Sequence, residues 1–345
     1  MKRINLAISL VLILSILVSC SDSNVQEYVI ESEDVPYQLD NLSEPEEYID
    51  KPEEDCEPVD DLYQIVEPDE PERIEVPFCV NQAARYLATI TAIWDADDGQ
   101  LWGFHLHEPL IIVCEVTRNV TANKPDEEGL LEQQSTAYGD VYVGLFPSEE
   151  FIGNTAITWG GRTWGMATWQ LLQYRAHCEA YQMRLLAHEG FHATQMRIWG
   201  RMGAFPIPHG RATSVSMYDE IQALGRAWSN VGDERLEAIQ KALEFRELRE
   251  GREGNPFFET QFEFGEGLAV YTELRLVLHN RDEIDNAVAD LLMWAEETLR
   301  MDITFGYVSG ALYALLLSDM GVTWKDDLTH QTEMASVLRE YLSLP

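Results

Sequence analysis

Hydrophobic and polar positions divide the chain into a short apolar start, a polar stretch and a globular part. The globular part begins at about Phe78. Apolar and small residues then recur one helical turn apart in 81–94, for example at Ala84, Leu87 and Thr91. This spacing predicts a first helix.

Three strand-like runs follow that helix. β-Branched and aromatic residues dominate 110–117, 140–146 and 155–169, and Gly-Asp and Gly-Gly breaks stand beside them. Such runs between glycine-containing breaks are typical of an antiparallel sheet.

Helical spacing dominates the chain beyond Trp169. The predicted helices are 176–199, 216–229, 233–251, 259–279, 283–300, 307–319 and 332–342. Gly200 follows the first of them, as is common where a helix ends. Strands that precede helices predict an α+β fold, with an antiparallel sheet followed by a mainly helical lobe.

The charge of the chain excludes some partners. Sixty acidic residues against 24 basic ones leave a net charge of −36, which repels nucleic acid, so no nucleic-acid partner is expected. The polar stretch at 20–76 carries 21 acidic residues but only two basic ones, together with six prolines. Self-repulsion and proline oppose a packed core, so we predict a disordered acidic tether.

The N-terminus has the features of a targeting signal. Lys2 and Arg3 precede an apolar run, Ile4–Val18, and residues 1–19 are predicted to be a signal peptide. The sequence ending in Cys20, Leu-Val-Ser-Cys, resembles the lipobox of bacterial lipoproteins. The resemblance implies cleavage before Cys20 and a lipid anchor there, on the extracytoplasmic face of a bacterial membrane. An ordinary cleaved signal or an uncleaved anchor are the alternatives, although a spanning helix needs about 20 apolar residues.

Residues 77–345 are then the folded domain, and they contain three of the four remaining cysteines. Because exported proteins can form disulfides, a bond between Cys79 and either Cys114 or Cys56 is compatible with the sequence. No Cys-x-x-Cys pair is present, which disfavours a cysteine zinc site.

The sequence His188-Glu189-Gly190-Phe191-His192 carries the candidate chemistry. Histidines four residues apart lie on one face of a helix, so both imidazoles can reach one zinc ion. A catalytic zinc takes three protein ligands and a water, and Glu189 is placed to accept a proton from that water.

The third ligand should be an acid or a histidine on another element. Glu266, in Phe-Gly-Glu-Gly-Leu-Ala-Val-Tyr, and Glu220, in Tyr-Asp-Glu-Ile-Gln-Ala-Leu, are the two main candidates. The motif followed by Glu266-Gly-Leu-Ala-Val-Tyr271 resembles the gluzincin metallopeptidases. In aminopeptidases of that clan a similar segment supplies the third ligand, which implies Glu266 here. Glu220 is then either an acceptor for a ligand imidazole or a helix-surface acid, and Asp219 and Glu273 present the same choice.

Two further segments bear on the resemblance. Tyr307-Val-Ser-Gly310 is similar to a late helix of the clan, and this implies that the Tyr307 hydroxyl stabilises an oxyanion; a core tyrosine is the alternative. His209 is a competing oxyanion donor. The strand 162–168 lacks the glutamate with which the aminopeptidases hold a substrate amine, but it could pair with an extended peptide.

These observations predict a zinc-dependent hydrolase, a metallopeptidase that cleaves peptide or protein substrates with water activated by Glu189. Its metal ligands would be His188, His192 and Glu266, and its cofactor Zn²⁺. The alternative is a non-catalytic, surface-exposed binding lipoprotein that retains a metallopeptidase fold. His105 and His107, two residues apart, are candidates for a second metal site.

Overall fold

The structure of the chain is a computed structural model, which describes residues 77–174, 178–200, 211–250, 256–298 and 301–343. The predicted signal peptide, the lipid-anchor cysteine Cys20, the acidic tether and His209 lie outside the described residues. None of the described helices has the length and apolar character needed to cross a membrane.

One six-stranded sheet runs through the N-terminal half of the described residues. Its strands are β1 (Leu110–Val113), β2 (Asn119–Ala122), β3 (Glu132–Thr136), β4 (Gly139–Leu145), β5 (Thr155–Trp159) and β6 (Arg162–Thr168). They lie in the order β3-β4-β2-β1-β6-β5, so that β3 and β5 are the two edges.

The sheet is mixed, and the prediction of an antiparallel sheet is wrong at one pairing. Strands β1 and β6 are parallel, with Ile111 opposite Met166, whereas the other neighbours are antiparallel. The chain leaves β1, forms β2 to β5, and returns beside it. Parallel pairing suits these two central strands because both are largely buried.

The helices follow the sheet in the chain, apart from the first one. They are α1 (Val80–Asp97), α2 (Trp169–Tyr174), α3 (Glu179–Trp199), α4 (Arg211–Ser229), α5 (Gly232–Glu250), α6 (Pro256–Phe262), α7 (Leu268–Val277), α8 (Arg281–Glu297), α9 (Met301–Asp319) and α10 (Met334–Tyr341). A π turn, Glu263–Gly267, joins α6 to α7. The α+β class is therefore as predicted.

Several boundaries differ from the sequence prediction. The predicted strand 155–169 is a hairpin that turns at Gly160 and Gly161, both with positive φ. The predicted helix 259–279 is interrupted by the π turn. Strands β2 and β3 were not predicted, because β2 has only four residues and β3 is polar and almost fully exposed.

Strand β1 separates two apolar clusters. Leu110 and Ile112 face the large cluster that joins the helices to the sheet, and Ile111 and Val113 face a smaller cluster on the other side. Helix α3 lies against β5 and β6 on one side and against α7 on another. The motif helix is thereby held between the sheet and the helical lobe.

The predicted disulfide of Cys79 is wrong. Cys79 and Cys114 are free thiols, and Cys79 is exposed whereas Cys114 is buried. Cys178, at the start of α3, is disulfide-bonded.

Candidate metal centre

Helix α3 holds the two motif histidines one turn apart. The ring centroids of His188 and His192 are 4.7 Å apart, and the ring planes are nearly perpendicular. The helix backbone lies very close to β6: a Cβ on Gly165 would lie 2.3 Å from the carbonyl oxygen of Glu189. Only glycine permits this approach, which fixes the helix against the sheet.

Glu266 comes from the π turn and meets both histidines. Its Oε2 lies 3.3 Å from Nε2 of His188 and 3.3 Å from Nε2 of His192. Within the described residues these three are the group of histidine, cysteine or acidic residues whose ligand atoms all lie within 4.8 Å of one another. The structure thus brings together the three residues predicted as ligands.

The distances in this group fit a tetrahedral zinc site. Two atoms bound to a tetrahedral zinc at about 2.0–2.1 Å are separated by about 3.3–3.4 Å. Both Nε2 to Oε2 distances have this value, and they exceed the usual length of a charge-assisted hydrogen bond, about 2.7–2.9 Å. Two imidazoles and a carboxylate are also the donor set that catalytic zinc takes in several hydrolases.

The other ring nitrogen of each histidine has its own acceptor. Nδ1 of His188 lies 3.0 Å from Oε2 of Glu273, on α7. The opposite oxygen of Glu273 accepts two hydrogen bonds from Arg184, at 2.7 and 3.0 Å. A histidine that donates through Nδ1 presents the lone pair of Nε2 to the metal. Glu273, considered from the sequence only as a minor candidate, therefore orients the ring of His188, one of the candidate ligands.

Gln195 performs the same task for His192 and was not predicted. Its Oε1 lies 2.8 Å from Nδ1 of His192. Its amide nitrogen donates to the carbonyl oxygens of Phe264 and Gly265 in the π turn, at 2.7 and 3.0 Å. Gln195 is one turn beyond the motif, but a glutamine at such a position has many ordinary roles, so no sequence signal singles it out.

Charge in this buried group is distributed unevenly. Burial lowers the pKa of His188, but hydrogen bonds to Glu266 and Glu273 outweigh burial and raise it to about 10. The pKa of His192 is also raised, because the carboxylate of Glu266 outweighs burial. Burial raises the pKa of Glu266, but the two histidines outweigh it and hold the pKa well below its usual range. The carboxylates of Glu266 and Glu273 thus compensate the positive charge of the protonated His188 imidazole.

Glu189 stands apart from these pairs. It is buried, and among the described residues its Oε2 has no hydrogen-bond partner. Burial raises the pKa of Glu189 to about 7, in spite of the two nearby histidines. A buried carboxylate oxygen without a partner is costly unless something binds there. It fits the position of a base beside a metal-activated water.

Tyr307 lies beside the centre, as the Tyr-x-x-Gly resemblance implied. Its ring stacks on that of His188, with centroids 6.1 Å apart and planes 15° from parallel. The rings of Phe262 and Trp294 contact it edge-on, each at 5.6 Å. The rings of Phe262 and Trp294 therefore hold Tyr307 against His188, one of the candidate ligands.

Glu220 is neither a ligand nor a helix-surface acid. It is fully buried and accepts hydrogen bonds from Arg246, Arg249 and Tyr313. The hypothesis that it acts at the metal is wrong, because both of its oxygens are occupied by arginines of α5.

His105 and His107, the candidates for a second metal site, contact different acidic residues. Nδ1 of His105 lies 3.5 Å from Asp98, and Nε2 of His107 lies 3.3 Å from Asp95. All four side chains are substantially exposed. Each histidine thus has its own acidic partner.

Comparison of the chain with protein-family models, with curated proteins and with solved structures finds no match.

Proposed function

We propose that the protein is a zinc-dependent hydrolase with a gluzincin-like fold that cleaves peptide bonds. One observation carries the proposal: Nε2 of His188 and of His192 converge on Oε2 of Glu266. Beside them lies the carboxylate of Glu189, whose Oε2 has no hydrogen-bond partner among the described residues. A protein that only binds a ligand has no need of a buried base next to its metal. The arrangement therefore favours catalysis.

The residues of the chain then have separate tasks. Zinc held by His188, His192 and Glu266 would polarise the scissile carbonyl and acidify water. Glu189 accepts a proton from the attacking water and passes it to the leaving amine, a task that suits a base with a pKa of about 7. Tyr307 donates a hydrogen bond to the oxyanion that develops on the carbonyl.

An extended peptide is the substrate that the sheet favours. The sequence pointed to 162–168 as the strand that pairs with it, but β6 is flanked by β1 and β5 and has no free edge. Strand β5, in contrast, is the edge strand next to β6, and it packs on α3, the helix that carries the motif. Backbone pairing along β5 would therefore lay a peptide beside the centre.

The N-terminal sequence features support a location of this activity outside the cytoplasm. The proposal includes lipid attachment at Cys20, which would anchor the enzyme to the extracytoplasmic face of a bacterial membrane. The acidic stretch 20–76 would act as the tether between anchor and domain. Neither feature points to a particular substrate.

Zinc content and peptide cleavage, measured on the same preparations, test the proposal. The wild type should hold one zinc and cleave members of a broad peptide library. Glu189→Gln should hold equal zinc but lose about 10²–10⁴-fold in rate, the contribution of a general base. Glu234→Gln, an exposed glutamate on α5, is the matched control and should keep both.

Two outcomes would contradict parts of the proposal. If the wild type holds zinc but cleaves no peptide and no other amide, this result would favour the non-catalytic binding lipoprotein. Cleavage of other amides, with peptides left intact, would retain the zinc hydrolase but exclude a peptidase.

A further inference from the structure

Two arginines of α5 are buried in the helical lobe. Arg246 and Arg249 are 1% and 2% exposed, respectively. Arg246 donates to Glu220 at 2.7 and 2.9 Å and makes a two-pronged contact with Glu263. Arg249 donates to Glu220 at 2.6 Å and to both oxygens of Glu259, at 2.6 and 2.9 Å. Two guanidinium groups and three buried carboxylates thus form one connected cluster.

The cluster holds the chain immediately before Glu266. Glu259 belongs to α6, and Glu263 is the first residue of the π turn. Ser309 of α9 also donates to Glu263, at 2.6 Å. Because the chain is tied at Glu259 within α6 and again at Glu263, one turn later and just beyond the end of α6, the rotation of α6 about its own axis is fixed.

The chain after Glu266 is fixed separately. Thr272 of α7 accepts a hydrogen bond from the indole of Trp102, at 3.1 Å. The hydroxyl of Tyr271 lies 2.8 Å from that of Ser318. Glu273 is tied to α3 through its contacts with Arg184 and His188. The rotation of α7 is therefore also set, by partners that do not include α5.

The π turn absorbs the mismatch between these two fixed helices. Its characteristic bond runs from the amide of Leu268 to the carbonyl oxygen of Glu263, five residues earlier. Such a turn holds one residue more than a turn of an α-helix. Because each residue of an α-helix adds about 100° of rotation, the extra residue offsets the rotation of the two flanking helices by about that angle. π turns are rare and occur mostly as single turns inside α-helices. Without ties on both sides, the segment would relax toward an α-helix and rotate Glu266 away from the histidines.

We propose that Arg246 and Arg249 are positioning residues for the third metal ligand: they fix the rotation of α6, so that the π turn persists and Glu266 faces His188 and His192. The inference rests on the proposed zinc site. Stability alone is a weak reason for such a cluster, because buried ion pairs are often replaced by apolar residues with little loss.

A charge-balanced double substitution tests this role in the full chain. Arg249→Met with Glu259→Met removes one cation and one anion, so the net charge of the cluster is unchanged and folding is favoured. It cuts the tie between α5 and α6 without touching any residue of the metal centre. Zinc affinity should fall about 10–100-fold, the range for loss of a group that orients a ligand.

Cobalt(II) provides a readout that general destabilisation would not move. In the double variant the visible absorption bands of bound Co²⁺ should change in position and intensity, because Glu266 no longer completes the coordination. Val120→Ala is the matched control, since Val120 lies in the apolar cluster on the far side of the sheet. It should lower the resistance to urea but keep the wild-type zinc affinity and Co²⁺ spectrum.

Ser309→Ala is a milder second variant, which removes one hydrogen bond to Glu263. It should weaken zinc binding less than the double substitution, with a shift of the Co²⁺ bands in the same direction. Wild-type affinity and spectrum in both variants would overturn the inference and leave the zinc hydrolase intact. A wild type that binds no zinc would instead remove the proposed function, and the inference with it.

Discussion

Each histidine in the candidate centre makes a different contact through each of its two ring nitrogens. Nε2 of His188 and of His192 faces Glu266, while the Nδ1 atoms face Glu273 and Gln195. The outer contacts determine which nitrogen carries the hydrogen and hold the ring planes in position. A metal ion that enters such a group meets ligands that are already oriented.

Zinc binding should strengthen as the pH rises. The pKa of His188 is raised to about 10, so this ring holds a proton at neutral pH, and the pKa of His192 is raised above its usual value. Zinc must displace the proton of His188, and this competition eases as the pH approaches the raised pKa. Affinity should therefore increase from pH 6 to pH 9, with proton release on binding.

Calorimetry in buffers of different ionisation enthalpy measures that release. A binding heat that is independent of the buffer, together with constant affinity over this pH range, would show that zinc displaces no proton. That result would contradict the prediction that His188 is protonated before zinc binds. The same titration on Glu234→Gln, a substitution at an exposed residue of α5, should match the wild type.

Among the elements, the π turn is the part of the candidate site whose geometry could not be predicted from the sequence. Spacing within one helix fixes the geometry of His188, Glu189 and His192, so these residues could be identified directly. The chain has 73 residues between His192 and Glu266, and only the resemblance to a family selected Glu266 over Glu220. The turn that aims it follows from contacts with α5 and α9, which no local pattern in Glu263–Gly267 encodes.

The sheet gives a second example of the same limit. The continuous apolar run of β1 predicts a buried strand, and the structure confirms one. Its parallel partner β6 lies about 50 residues later in the chain, and β3 is a polar edge strand without an apolar face. Pairing between distant strands depends on the packing of the whole domain, so neither feature could be predicted.

The arginine cluster should make Glu220 one of the most important residues for stability. Glu220→Gln leaves Arg246 and Arg249 buried with one carboxylate fewer, and breaking a buried pair costs about 3–5 kcal/mol. Urea unfolding of the metal-free chain measures this loss. Asp219→Asn, a half-buried neighbour on the same helix, is the control and should cost far less.

The same variant should alter the response to acid. Burial raises the pKa of Glu220, but Arg246 and Arg249 outweigh it and lower the pKa below 4.5. Its ionised form therefore stabilises the fold above that value, and the contribution is lost as the pH falls through the lowered pKa. Glu263, whose pKa is raised by burial, acts in the opposite direction. The wild-type advantage over Glu220→Gln should thus shrink below pH 4.5; an advantage that stays constant would contradict this.

At the scale of the whole molecule, charge is spread over two parts with different roles. Of the net charge of −36, the stretch 21–76 contributes −19, from 21 acidic and two basic residues. Mutual repulsion would extend such a segment, which suits the proposed spacer between a lipid anchor and the folded domain. The same sign of charge opposes contact with an anionic lipid surface, so attachment would depend on the lipid chain itself.

Replacement of Cys20 tests that attachment. In bacterial cells Cys20→Ala should abolish labelling by a radioactive fatty acid and move the protein out of the membrane fraction, because the thiol that accepts the lipid is gone. Cys79→Ala, at an exposed free thiol, is the control and should remain labelled and membrane-bound. Unchanged membrane association of the Cys20 variant would support an uncleaved apolar anchor instead.

The position of zinc is the most direct test of the central claim. Crystals grown with one equivalent of zinc and measured on both sides of the zinc absorption edge would locate the ion. We expect one peak, with Nε2 of His188, Nε2 of His192 and a carboxylate oxygen of Glu266 at about 2.0–2.2 Å. A peak ligated by Glu273 in place of Glu266, or no zinc between the two histidines, would contradict it.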